Sequence, residues 1–199
     1  AFIITLVMQY ILSGIALLWT GGLAVSGMNA EFKALGQTYL FDTIPVPILY
    51  ALIIGAAGYI ILNRSKFGRS IAAIGGNPET AYLAGIPVVR RRILVYVAVG
   101  LFSAFTGVIW AARFASGIPG AGDGVNLKIM AAVIIGGTSP AGGSGTIAGT
   151  AIGCILLATI TNFLILVGIP STAQTLIFGL ILILSMFIDK YRRAVLSGK

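Results

Sequence analysis

The chain has 199 residues, of which 58% are apolar and 9% are charged, and its mean hydropathy is +1.03. A soluble domain carries roughly 25% charged residues to cover its surface. This composition therefore excludes an ordinary soluble domain and favours a protein surrounded by lipid. With no histidine and one cysteine, the sequence offers neither a metal cluster nor an internal disulfide, and we expect no cofactor.

The formal net charge of +8 does not indicate a nucleic-acid partner, because of where the charges lie. Ten of the thirteen Lys and Arg residues lie in two short segments, residues 63–92 and 189–199, that flank apolar runs. This is the pattern of cytoplasmic loops in membrane proteins. We therefore expect both segments on the cytoplasmic side of a lipid bilayer, where anionic headgroups would add a further attraction.

Six apolar segments, taken in chain order, predict an all-α polytopic membrane protein with one transmembrane domain over residues 1–199. A helix that crosses the bilayer needs about 20 apolar residues. The expected helices are residues 1–18, 47–62, 93–112, 127–135, 146–167 and 172–188. No charged n-region or small-residue cleavage site accompanies the first run, which therefore does not indicate a signal peptide.

The segment 136–145, GGTSPAGGSG, is too rich in Gly, Ser and Pro to lie inside a helix. The apolar run before it, residues 127–135, is short for a crossing and would also suit a re-entrant half-helix. If the basic loop and the C-terminus are both cytoplasmic, an odd number of crossings must follow the third helix. Counting residues 127–135 as a crossing meets that condition, so we expect six crossings.

The segment 20–46 is the longest stretch that we expect outside the cytoplasm. Charged residues such as Glu31 and Asp42 mark it as solvated, while Phe32, Leu35 and Tyr39 give it apolar weight. A short amphipathic helix near the outer membrane surface would satisfy both tendencies.

The basic loop, residues 63–92, encodes a short helix with a signal at each end. Asn77 is a favoured N-cap, Pro78 suits the first helical position, and Glu79 places a negative charge at the positive end of the helix dipole. Gly85 suits the left-handed position after the last turn. Two turns are too short to be stable alone, so this helix must pack on its own membrane domain or dock on a cytoplasmic partner.

Three stretches of the chain resemble permease subunits of bacterial ABC importers of the ribose or monosaccharide type. They are FGRSIAAIGGNPETAYLAGIPV in the loop, MAAVIIGGTSPAGGSGTIAGTAIGCILLATITNFLILVGI near the C-terminus, and FIITLVMQYILSGIALLWTGG at the start. The resemblance implies a multi-pass subunit of the bacterial cytoplasmic membrane that forms the path for a sugar. Family members carry further helices before the position of Ala1, so the resemblance also implies an N-terminally truncated chain.

In that family ATP is hydrolysed on a separate subunit, and this chain lacks the G-x-x-x-x-G-K-[ST] loop of such subunits. The resemblance therefore implies a transporter subunit and not an enzyme. The implied partners are cytoplasmic ATP-binding subunits, an extracytoplasmic sugar-binding protein and a second permease subunit, which we expect to form a homodimer.

The resemblance also implies roles for particular residues. The coupling helix that contacts the ATP-binding subunit would comprise Asn77, Glu79, Ala81, Leu83, Ala84 and Gly85. One departure is that Asn126-Leu127-Lys128 stands where the family usually shows an acidic E-L-D-type pattern. Neutral polar and aromatic side chains suit a sugar path, or alternatively a link between helices, and the candidates are Gln9, Trp19, Asn162 and Gln174.

Two other functions stay open from the sequence. Importers of branched-chain amino acids have related permeases with a similar glycine-rich signature. An ion-coupled secondary transporter is less favoured, because proton or sodium coupling usually needs an intramembrane Asp, Glu or His, and every acid here lies near a predicted helix end or in a loop.

Overall fold

The computed structural model describes residues 2–140 and 142–197, and the side chains of residues 4–140 and 142–187. Within these residues the chain is helical apart from its connections and one two-stranded hairpin. The helices are α1 (Phe2–Thr20), α2 (Ala30–Gln37), α3 (Val46–Arg64), α4 (Lys66–Gly76), α5 (Pro78–Leu83), α6 (Val88–Phe114), α7 (Val125–Ile135), α8 (Ile147–Leu166) and α9 (Ser171–Ser197). The hairpin pairs β1 (Tyr39–Leu40) with β2 (Ile44–Pro45) in antiparallel register.

The first of two compact units comprises residues 1–53 and 95–123. In it α2 lies against the end of α6, because a Cβ at Gly36 would come within 2.5 Å of the Arg113 backbone nitrogen. Gln37 Nε2 also donates to the Arg113 carbonyl oxygen at 3.1 Å. Val25 and Gly117 exchange backbone hydrogen bonds at 2.9 Å. These contacts join the segment 20–46 to the end of α6.

The second unit comprises residues 54–94 and 124–199. Its core lies where α7, α8 and α9 pack together, and its buried members are Ala131, Ala132, Leu157, Leu164 and Phe178. Small residues allow α7 and α8 to approach closely. A Cβ at Gly153 would overlap the Ala132 carbonyl oxygen, and one at Gly149 would overlap that of Gly136.

Among the described residues, three helices are long and apolar enough to cross a membrane, namely α3, α6 and α8. The apolar parts of three others are shorter, Ile4–Thr20, Val125–Ile135 and Ser171–Phe187. Large apolar side chains are widely exposed along these helices, which is expected where lipid or another subunit is the neighbour. The prediction of an all-α polytopic membrane fold is confirmed, while six crossings stays a prediction.

Some boundaries differ from the sequence prediction. α6 begins at Val88 and contains the three consecutive arginines that the sequence placed in the loop. α9 continues to Ser197 through the predicted tail, of which residues 198–199 and all side chains lie outside the described residues. Hydrophobicity marks where a helix meets water, whereas its hydrogen bonds continue until a cap or a proline intervenes. In the segment 20–46, the expected short helix is α2.

Candidate functional site

The short helix predicted in the basic loop is present as α5, and its two ends have the predicted caps. Asn77 Oδ1 accepts from the backbone N–H groups of Glu79 and Thr80 at 2.9 and 3.1 Å. Pro78 occupies the first helical position, where a missing N–H costs nothing. The start of α5 therefore has both of the local features that the sequence predicted.

The C-terminal end of α5 is a Schellman motif. The Gly85 N–H donates to the Tyr82 carbonyl oxygen at 2.9 Å, and the Ile86 N–H donates to that of Ala81 at 3.1 Å. Gly85 has a φ of +79°, a left-handed conformation that side chains with a Cβ rarely adopt. The six-residue helix Pro78–Leu83 is therefore capped at both ends.

The face that α5 presents is mixed in polarity. Tyr82 and Leu83 are 71% and 81% exposed, and Glu79 is also exposed. Ala84 and Gly85 follow on the exposed end of the helix. Ala81 is 4% exposed, so its methyl group packs within the chain and lies off this surface. The exposed set thus combines one carboxylate with a large apolar patch.

A shallow open groove of about 490 Å³ lies beside α5. It runs from Tyr82 past Pro87 to Val89, Ile93 and Leu94, which lie in the first two turns of α6. Val89 is itself 72% exposed. The exposed apolar area therefore continues from α5 to the first turns of α6, and is larger than the sequence pattern of α5 suggested.

The sequence pattern did not predict α4, which directly precedes α5. Ser65 caps it, accepting from the Gly68 N–H at 3.0 Å. Arg91 on α6 lies over the ring of Phe67 on α4, with 5.3 Å between the guanidinium carbon and the ring centroid. Its three glycines are poor helix formers and obscure the helical pattern in the sequence. Ser65 at the N-cap is the local signal that indicates this helix.

Of the four candidate path residues, Asn162 lies exposed in a second open groove of about 490 Å³ with Ile155 and Phe163. Gln174 is 8% exposed, and its Nε2 donates to the Ile169 carbonyl oxygen at 2.9 Å, closing the turn between α8 and α9. Gln9 is half-buried on α1, and Trp19 is 87% exposed near its end. Asn162 and Gln174 lie in the second unit, whereas Gln9 and Trp19 lie in the first.

Lys128, one of the two residues where the resemblance implies an acid, is held near α9. Its Nζ lies 4.9 Å from the centroid of the Phe178 ring. An ammonium over an aromatic face is attracted by the ring quadrupole. The positive charge is thus placed at the first turn of α7, one turn before the buried Ala131.

Comparison with known proteins identifies relatives over nearly the whole chain. The ribose import permease protein RbsC of Bacillus subtilis (strain 168) is 36% identical over 195 residues, covering 97% of this chain and 60% of the relative. The L-arabinose transport system permease protein AraH of Escherichia coli (strain K12) is 38% identical over 193 residues, which cover 97% of this chain and 58% of AraH. The ribose import permease protein RbsC of Escherichia coli (strain K12) is 36% identical over 199 residues, which cover 97% of this chain and 61% of that protein.

The chain thus spans about three-fifths of the length of these curated relatives. No solved structure matches it significantly. The family model described as "Branched-chain amino acid transport system / permease component" matches residues 1–186. Together with the apolar helices, this match shows an integral protein of the inner membrane. The chain belongs to this family of transport-system permease components.

Proposed function

We propose that this chain is part of the membrane-spanning permease subunit of an ATP-driven importer, and that it forms a translocation path for a monosaccharide. The observation that carries the proposal is the doubly capped, exposed helix α5. A helix of six residues is not stable alone, and its caps hold an apolar surface outward. Such a surface suits insertion into the groove of a protein partner.

The proposed partner at α5 is a cytoplasmic ATP-binding subunit. Glu79, Leu83 and Ala84 would contact it directly, while Asn77 and Gly85 fix the helix ends and Ala81 packs beneath. Closure of the ATP-binding subunits would displace α5, and the helices would then open the path to one side of the membrane. In this mechanism the helices of this chain change how they pack against one another, and the chain takes part in no covalent step.

The likeness to ribose and L-arabinose permeases supports a monosaccharide cargo. An extracytoplasmic sugar-binding protein would deliver it, and a second copy of the permease would complete the path as a homodimer. The family description favours one second candidate, a branched-chain amino acid cargo. Uptake assays with labelled pentoses and labelled leucine separate the two cargoes directly.

We further propose a topology in which the loop 63–92 and the C-terminus lie in the cytoplasm. The distribution of Lys and Arg supports it. α7 has 11 residues, which is about 16 Å of helix, whereas the hydrocarbon core is about 30 Å thick. Non-helical backbone at membrane depth is tolerated where protein covers it. α7 would therefore cross together with its flanking loops, shielded by α8 and α9.

The coupling role is tested in the full-length permease with the double variant Glu79→Lys, Leu83→Asp. We expect it to lose binding of the ATP-binding subunit and, with it, sugar uptake. The matched control is Glu31→Lys, Leu35→Asp, because these residues have the same spacing on the short helix α2. The control should keep binding of the ATP-binding subunit. Normal binding and uptake in the Glu79 and Leu83 variant would refute the coupling role.

A further inference from the structure

Two glycine pairs from distant parts of the sequence meet in the second unit. Gly75 and Gly76 end α4, and Gly142 and Gly143 lie in the loop between α7 and α8. A Cβ added at Gly75 would lie 2.5 Å from the Gly143 nitrogen and 3.1 Å from its Cα. One added at Gly143 would lie 3.0 Å from the Gly76 Cα. The two backbones therefore touch with no side chain between them.

On one side of this contact, α4 continues almost without interruption into α5. Asn77 ends α4, with its N–H donating to the Ala73 carbonyl oxygen at 3.1 Å. The same residue caps the start of α5 through its side chain. α4 and α5 therefore share a single joining residue, so a displacement of α5 also moves the end of α4.

On the other side, the loop that carries Gly143 connects two tightly packed helices. A Cβ at Gly136 would overlap the Gly149 carbonyl oxygen, and one at Gly153 would overlap that of Ala132. Backbones packed this closely have no flexible side chain that could absorb a shift by changing rotamer, and close-packed interiors transmit strain. We therefore expect a displacement of this loop to move α7 and α8 together.

We propose that the contact between Gly75 and Gly143 is the junction through which the displacement of α5 reaches the α7–α8 pair. Gly75 is then a positioning residue for transport, and the two segments move together as one body. This inference rests on the proposed function, because it assumes that a partner displaces α5. All the residues involved lie in the same compact unit.

The test compares Gly75→Ala with Gly76→Ala in the full-length permease assembled with its ATP-binding subunit. Both positions lie in α4, where Ala is the better helix former. A Cβ at Gly76 meets nothing within 4 Å, whereas one at Gly75 forces the loop backbone away by roughly 1 Å to reach normal contact distance. An added methyl group therefore presses on the loop at Gly75 and points into open space at Gly76.

We expect Gly75→Ala to keep binding of the ATP-binding subunit and to lose most sugar uptake, with more ATP hydrolysed per sugar carried. Gly76→Ala should match the unmodified protein in all three measurements. A merely structural effect would lower ATP hydrolysis and uptake in proportion. Unchanged uptake and an unchanged ratio in Gly75→Ala would refute the junction.

A second experiment decides the case if Gly75→Ala fails to assemble. In a background with Cys154→Ala, the exposed positions Gly76 and Ser144 are changed to cysteine and joined by a short bifunctional thiol reagent. Because the segments move as one body, the bridged protein should retain the uptake of the unbridged one. Loss of uptake on bridging would overturn the proposal.

The two proposals fail in different ways. Normal uptake in Gly75→Ala, combined with loss of uptake in the Glu79→Lys, Leu83→Asp variant, removes the junction and keeps the coupling role of α5. Normal uptake in both variants removes the coupling role itself.

Discussion

Replacing Leu83 by alanine tests the contact surface of α5 quantitatively. Leu83 is 81% exposed in the chain, so nearly all of its side chain remains to be buried by a partner. Leu→Ala removes three carbons, each worth about 0.8 kcal/mol when buried. Scaled by this exposure, the expected loss is about 2 kcal/mol, which is about 30-fold in the Kd for the ATP-binding subunit.

The assay is titration of the ATP-binding subunit onto full-length permease in lipid nanodiscs. Leu166→Ala is the matched control, because Leu166 is 84% exposed but lies at the end of α8. The control should leave the Kd within about twofold of the unmodified value. If Leu83→Ala also bound within twofold, burial of Leu83 by the partner would be refuted.

Three further predictions concern the cap, the topology and the helix packing. Asn77→Ala removes two capping bonds and should destabilise α5 by about 1 kcal/mol, raising amide exchange of residues 79–84 about fivefold by mass spectrometry. With Cys154 replaced, Ser144→Cys should react with a membrane-impermeant thiol reagent only from the cytoplasmic side, and Ala121→Cys only from the other side. Gly153→Val forces a side chain into a carbonyl oxygen of α7 and should cost about 2 kcal/mol, seen as a lower Tm in detergent.

Each of these has an outcome that contradicts it. Unchanged exchange in Asn77→Ala would mean that tertiary packing, not the cap, holds α5. Labelling of both cysteines from the same side would show that α7 is re-entrant. For the packing prediction the control is Gly179→Val on α9, where a Cβ meets nothing within 4 Å. Equal Tm values for the two valine variants would contradict close packing of α7 on α8.

Local rules in the sequence were sufficient to predict α5. Asn77, Pro78 and Gly85 each act on backbone groups within a few residues, so their effects are readable without the fold. The long apolar helices were also predictable, because about 20 apolar residues in a row have few alternatives to a membrane helix. Helix ends that lie outside the apolar runs were less predictable from the sequence, and α6 begins five residues earlier than predicted.

The rest depends on contacts between residues far apart in the chain. The loop glycines Gly142 and Gly143 were predicted to break a helix, but nothing local indicates that they touch Gly75. Burial of Ala81 is likewise decided by what packs beneath α5. The hairpin turn places Phe41 and Asp42 at φ of 54° and 55°, and it lacks the glycine that usually marks such a turn in a sequence.

Sugar uptake by proteoliposomes containing the full-length permease and its ATP-binding subunit tests the central claim most directly. The measurement compares the active ATP-binding subunit with a catalytically dead one, each with and without a proton gradient. An ATP-driven importer should lose uptake with the dead subunit and keep it when the gradient is collapsed. Uptake that survives the dead subunit and disappears with the gradient would contradict the coupling of transport to ATP through α5.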